Sequence, residues 1–115
     1  MSERGDSTLL QDIEEAVRRI DEYAQSVTFG QFKKDIKTQD AVVRNLEIIG
    51  EAVKNISSTF KRKHPEVDWK NIAGLRDRLI HDYFGVNWDI VWDVVKTKVP
   101  ELGRRVEDFL RESKG

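Results

Sequence analysis

The sequence predicts an all-α fold, an antiparallel bundle of four to five helices, and three observations carry that prediction. Apolar residues recur at steps of three and four through every long segment. No stretch alternates apolar and polar residues as a half-buried strand does. Caps and helix breakers stand where those segments begin and end. With 115 residues, 38% hydrophobic and 36% charged, the chain is sized for one small domain. The domain is expected over residues 8–112, with 1–7 as a flexible N-terminal tail.

The first helix is marked by Leu9, Leu10, Ile13, Ala16, Val17, Ile20, Tyr23 and Ala24 on one face, with Thr8 and Gln11 spaced as its capping box. From Val27 to Phe32 the period breaks, which fits a loop or a single helical turn dropping Phe29 and Phe32 onto the core. Val42, Leu46, Ile49, Val53, Ile56 and Phe60 then form one seam, read as a second helix of five turns. Ala41, Ile48 and Ala52 make a second stripe about 100° around it. That stripe is either buried by the chain's own neighbours or presented to a second copy in a homodimer. His64-Pro65 ends the segment, because proline disfavours helix in the residue before it. The preceding Lys61-Arg62-Lys63 suits a helix C-terminus and also reads as a phosphate patch.

A third helix is expected from Trp69 to Tyr83 or Phe84, with Asp68 as N-cap and Gly85 beyond the C-cap. The fourth begins at Asn87 and carries Trp88, Trp92, Val95, Val99, Leu102, Val106 and Phe109 on its apolar face. Pro100 lies inside this run, so the helix either kinks there or a fifth helix opens at that proline.

Composition narrows the chemistry. The absence of cysteine excludes disulfide scaffolds, thiolate metal sites and cysteine nucleophiles, and fits a reducing compartment. No apolar run approaches the roughly 20 residues of a membrane helix, and the first residues carry no apolar stretch of signal-peptide length. A cytoplasmic protein without a membrane partner is expected. The net charge is −1, so no general footprint for nucleic acid exists. Residues 1–60 hold 8 Lys/Arg against 11 Asp/Glu, and residues 61–115 hold 12 against 10. A polyanion would therefore bind to the second half.

The third helix contains an anomaly. At about 100° per residue, Arg76 falls in the middle of the stripe formed by Trp69, Ile72, Leu79, Ile80 and Tyr83. A guanidinium cannot shed its charge and is almost never fully buried unless paired. It is explained either by an ion pair with Glu47 or Glu51, or by snorkelling to the rim, or by a cleft in which the fork meets a phosphate. His81 lies about 140° around from Arg76, so one ideal helix does not aim both at one point. Asp77 precedes His81 by four, where a carboxylate fixes the imidazole tautomer and raises its basicity. Gly74, seven residues before His81, leaves an open approach to the backbone above the ring. A histidine is often a plain surface or core residue, but these neighbours together point to a site. Neither a glycine-rich phosphate loop nor paired histidines at metal spacing is present.

Arg76-Asp77-Arg78-Leu79-Ile80-His81-Asp82-Tyr83 resembles the Arg, four residues, His, one residue, Tyr motif of HepT-like proteins. These are HEPN-domain toxins encoded beside minimal nucleotidyltransferase antitoxins. The run from Asp40 to Ala52 is similar to the family's second-helix signature. Trp69 to Arg76 resembles its approach to the motif, and Val91-Trp92-Asp93-Val94-Val95 its fourth helix. Asp77 departs from the asparagine more common there, and an acid at that place offsets part of Arg76's attraction for phosphate.

The resemblance implies a metal-independent endoribonuclease, active as a homodimer, with RNA as substrate and no cofactor. Cleavage by the neighbouring 2′-OH needs a base, an acid and positive charge on the phosphorane. By the resemblance His81 serves as base or acid, Arg76 clamps the phosphate, and Asp77 and Arg78 support them. Tyr83 would be the residue that the cognate minimal nucleotidyltransferase antitoxin adenylylates; it also reads as a core ring with its hydroxyl at the rim. The alternative is a non-catalytic HEPN module that binds a nucleotide or docks the nucleotidyltransferase through the same residues.

Overall fold

The computed structural model describes residues 5–81 and 87–114, with the side chains of Arg76, Leu79, Ile80, His81, Ser113 and Lys114 outside the description. Among these residues seven α-helical segments follow one another: α1 (Asp6–Gln25), α2 (Phe29–Phe32), α3 (Ile36–Asn55), α4 (Ser58–Lys63), α5 (Trp69–His81), α6 (Trp88–Asp93) and α7 (Val99–Lys114). A π-helical segment, Val94–Lys98, joins α6 to α7 in one uninterrupted helix. The described residues contain helices and loops and no strand, so the all-α prediction holds.

Helix α3 is the centre of the bundle, packed against α1 on one side and α5 on another, while α7 lies against α1. Leu9, Leu10, Ile13, Ala16, Ile20 and Ala24 of α1 are buried, as the period predicts. They meet Val42, Leu46, Ile49 and Val53 of α3 in one core. The capping box at Thr8 does not form: α1 already starts at Asp6, behind an extended Gly5 with no side-chain cap. Asp6 is committed elsewhere, accepting from the Ser57 amide at 2.9 Å and its hydroxyl at 2.7 Å. That contact ties the start of α1 to the end of α3 and makes the pair antiparallel.

The seam from Val42 to Phe60 is continuous on the surface but not in the backbone. Helix α3 stops at Asn55, Ile56 is extended (ψ 142°), and Ser57 caps α4 by accepting from the Phe60 amide at 3.1 Å. A serine cap outcompetes helix continuation there, and its own tether to Asp6 holds the corner. Ala52 is buried and Ile48 partly buried within the single chain. The second stripe is thus mostly covered by the chain itself.

Helix α2 is the single turn expected. Thr28 and Gln31 form its capping box, and Phe32 is fully buried between Trp88 and Trp92, at centroid distances of 5.6 and 5.0 Å. Buried Gln39 donates to the Phe32 and Lys33 carbonyls, at 2.9 and 3.0 Å, satisfying backbone acceptors left by so short a helix. At the other end His64 stacks between Phe60 and Phe109, and its carbonyl accepts from the Trp69 indole at 2.8 Å.

Pro100 stands in the first turn of α7, which begins one residue earlier at Val99, so of the two expectations the one that opens a further helix at the proline is met. Proline cannot donate to the carbonyl four residues back and crowds it. The π segment widens the helix one step earlier, the Val99 amide reaching back five residues to the Val94 carbonyl. The expected Gly85 stop of the third helix lies outside the described residues.

Candidate active site

Helix α5 carries the predicted residues. Its N-terminus is set by Asp68, whose carboxylate accepts from the Asn71 amide and side chain and whose carbonyl accepts from the Ile72 amide at 3.1 Å. Trp69 is buried, and Ile72 and Ala73 pack on the core. Arg76 is four residues past Ile72 and three past Ala73, so its backbone position belongs to the packed side of the helix. The side chains of Arg76 and His81 are outside the description, and Tyr83 lies outside the described residues altogether.

Asp77 and Arg78 are both exposed. Arg78 folds back along α5 and donates to the Asn71 carbonyl at 3.3 Å. A Cβ placed on Gly74 would lie 3.6 Å from the Arg78 Nη1. This corrects one expectation: the space over Gly74 is not an open approach, because a guanidinium covers it. Of the two acids considered as partners for Arg76, Glu47 is half-buried, while exposed Glu51 accepts from the Asn55 side chain at 3.3 Å.

Between α5 and α7 the bundle is open. A cavity of about 530 Å³ separates the two helices, with Leu46 and Ile49 of α3 at its base. Its walls include Leu75 and Arg78 on α5, and Lys98, Leu102 and Arg105 on the opposite helix. Sequence reasoning passed over Lys98 and Arg105. Their signal was present, because Lys98, Leu102 and Arg105 at positions i, i+4 and i+7 share a stripe.

Among the described residues no group of three or more His, Asp and Glu side chains is placed to hold a metal ion. None of the described helices is long and apolar enough to cross a membrane.

Known proteins resemble this chain over most of its length. Residues 13–109 match the family described as Ribonuclease HepT-like. A Methanocaldococcus jannaschii protein named “Putative RNase MJ0127” is 48% identical over 106 residues, covering 92% of this chain and 88% of the relative. “Probable ribonuclease HepT” of Thermococcus cleftensis is 48% identical over 104 residues, 90% of this chain and 94% of the relative. A third similar protein, “Putative RNase TTE0752” from Caldanaerobacter subterraneus, is 45% identical over 106 residues, 92% and 91% of the two chains. No solved structure matches.

Proposed function

The chain belongs to the HepT-like ribonuclease family, and from that premise we propose that it is a metal-independent endoribonuclease toxin of a toxin–antitoxin pair. The observation that carries this reading is the match across residues 13–109. It spans α5, the helix that carries Arg76 and, five residues later, His81.

In this reading the substrate's own 2′-OH is the nucleophile. It attacks the adjacent phosphorus, the bond to the 5′-oxygen breaks, and a 2′,3′-cyclic phosphate and a free 5′-OH result. His81 takes the 2′-OH proton or protonates the leaving oxygen, imidazole being the side chain that most readily serves as base or acid in such chemistry. Arg76 offers two parallel N–H donors to the phosphate and stabilises the charge of the phosphorane. Asp77, one turn before His81, orients the ring. A homodimer reconciles the angular separation of Arg76 and His81, since two copies of a split pair can meet across an axis. Control falls to Tyr83: adenylylation by a cognate nucleotidyltransferase antitoxin adds a bulky anion beside His81, fills the cleft and repels RNA phosphate.

Arg76→Ala and His81→Ala should each reduce RNA cleavage by about a hundredfold or more while keeping the helical circular dichroism signal. Cleavage by the parent protein should persist in EDTA and leave cyclic-phosphate ends, read by mass spectrometry. Inhibition by the chelator or 5′-phosphate products would overturn the 2′-OH mechanism. Tyr83→Phe should stay active, resist modification by the nucleotidyltransferase with ATP and Mg²⁺, and remain toxic beside it. Silencing of that variant as readily as the parent assigns the antitoxin to steric capping instead.

A further inference from the structure

We infer that the cavity between α5 and α7 seats one nucleotide unit of an RNA strand, its phosphate against Arg78, Lys98 and Arg105 and its base on the apolar floor. This rests on the ribonuclease reading and extends it to a subsite outside the Arg76/His81 pair.

Three observations support the site. Its volume of about 530 Å³ lies within the roughly 300–1,000 Å³ of small-molecule pockets, which are mostly apolar with a few placed polar groups. Leu46, Ile49, Leu75 and Leu102 supply the apolar part. The cations then form a pattern: Leu75 and Arg78 on one wall face Leu102 with Lys98 and Arg105 on the other, so each wall sets arginine or lysine beside leucine. Finally, Arg105 is half-buried and, among the described residues, neither it nor Lys98 has a carboxylate within ion-pair distance. Arg105 thus has a partly covered stem and a fork available to an anion.

The same rim carries three acids as well, so the placement of cations on both walls, and not the net charge, is what favours a phosphate. Asp68 is occupied in capping α5, and Glu66 faces His64 at 3.7 Å. Glu101 remains as an acceptor, suited to the N–H groups of a base.

The test measures binding rather than cleavage. A fluorescent RNA tetranucleotide, blocked by 2′-O-methyl groups, is titrated by anisotropy against the parent and against Lys98→Gln/Arg105→Gln, with melting curves to show that both are folded. The double variant should bind about tenfold more weakly, and its log K against log salt slope should fall by about 0.7 for each phosphate that is no longer neutralised. Placing an abasic unit at each position in turn should weaken binding at one of them.

Competition by free CMP against the parent identifies a site that also accepts a free nucleotide. Lack of competition, beside an intact double-variant effect, identifies one that takes the unit only within a strand. Both uphold the subsite. Unchanged affinity and salt slope in the double variant, indifference to every abasic substitution, or no binding by the parent overturns it. A parent that binds this RNA but fails to cleave the unblocked form sinks the ribonuclease reading and leaves the subsite standing.

Discussion

Asp35 illustrates how much of this fold depends on single capping side chains. It accepts from the Thr38 hydroxyl at 2.6 Å and from the Thr38 amide at 3.1 Å, and these bonds hold its carboxyl below the usual range. A carboxyl whose pKa falls on folding contributes stability that is present above the ordinary carboxylate range and is lost as pH falls through its folded value. Asp35→Asn keeps an acceptor for the amide but cannot titrate, so its melting temperature should fall less on acidification than that of the parent. Asp35→Ala should melt lower than both at neutral pH. A parent and Asp35→Asn with parallel acid limbs, followed by circular dichroism, would assign the acid sensitivity to other groups. The other residue-scale features differ in how readily they were legible. Arg76 was conspicuous because one charge interrupted an apolar stripe. Lys98 and Arg105 were equally out of place beside Leu102, yet two charges at the edge of a long amphipathic helix look like a solvated face until the facing wall is known. The guanidinium over Gly74 was illegible, since a rotamer decides it.

At the scale of elements, periodicity identified the helices and missed the joints. The apolar seam continues from Ile56 to Phe60 although the backbone turns between them, because a side-chain stripe records which surface is buried and not whether the hydrogen-bond ladder is intact. The break depends on Ser57 being held by Asp6, a partner 51 residues away. The π segment before Pro100 was likewise invisible, being one of several ways to relieve the same steric conflict. One close approach between elements is directly testable. A Cβ on Gly103 of α7 would lie 2.8 Å from Val17 Cγ1 on α1. Gly103→Ala gains about 1 kcal/mol of helix propensity and meets overpacking worth about 1–3 kcal/mol. Because a β-branched side chain in a helix has little rotamer freedom, the overpacking should win, with a net loss of about 1 kcal/mol in urea unfolding. In a Val17→Ala background the same substitution should become stabilising. Stabilisation by Gly103→Ala alone would show that the two helices separate at little cost.

For the whole molecule, the decisive property is whether Arg76 and His81 act from one chain or two. Within an ideal helix they diverge by about 140°, so a single chain does not readily turn both toward one phosphate. The expectation that Ala41, Ile48 and Ala52 form the contact between copies is weakened by the burial of Ala52 in its own chain. A dimer is therefore best tested through the site rather than through that stripe. Arg76→Ala and His81→Ala proteins, each inactive alone, should regain cleavage when mixed under conditions that exchange subunits. If each centre pairs Arg76 of one copy with His81 of the other, random exchange makes roughly half the dimers mixed, each with one of two centres intact, and activity returns to about a quarter of the parent. Light scattering must show a dimer of about twice the 13.4 kDa chain mass, and the recovered activity must grow with the time allowed for exchange. If scattering shows exchanged dimers but activity stays at the level of the single variants, Arg76 and His81 serve from the same chain, and α5 must depart from an ideal helix near its C-terminus. If the protein is monomeric at micromolar concentration and still cleaves RNA, the composite centre is excluded and the divergence has to be bridged by the reach of the arginine side chain itself.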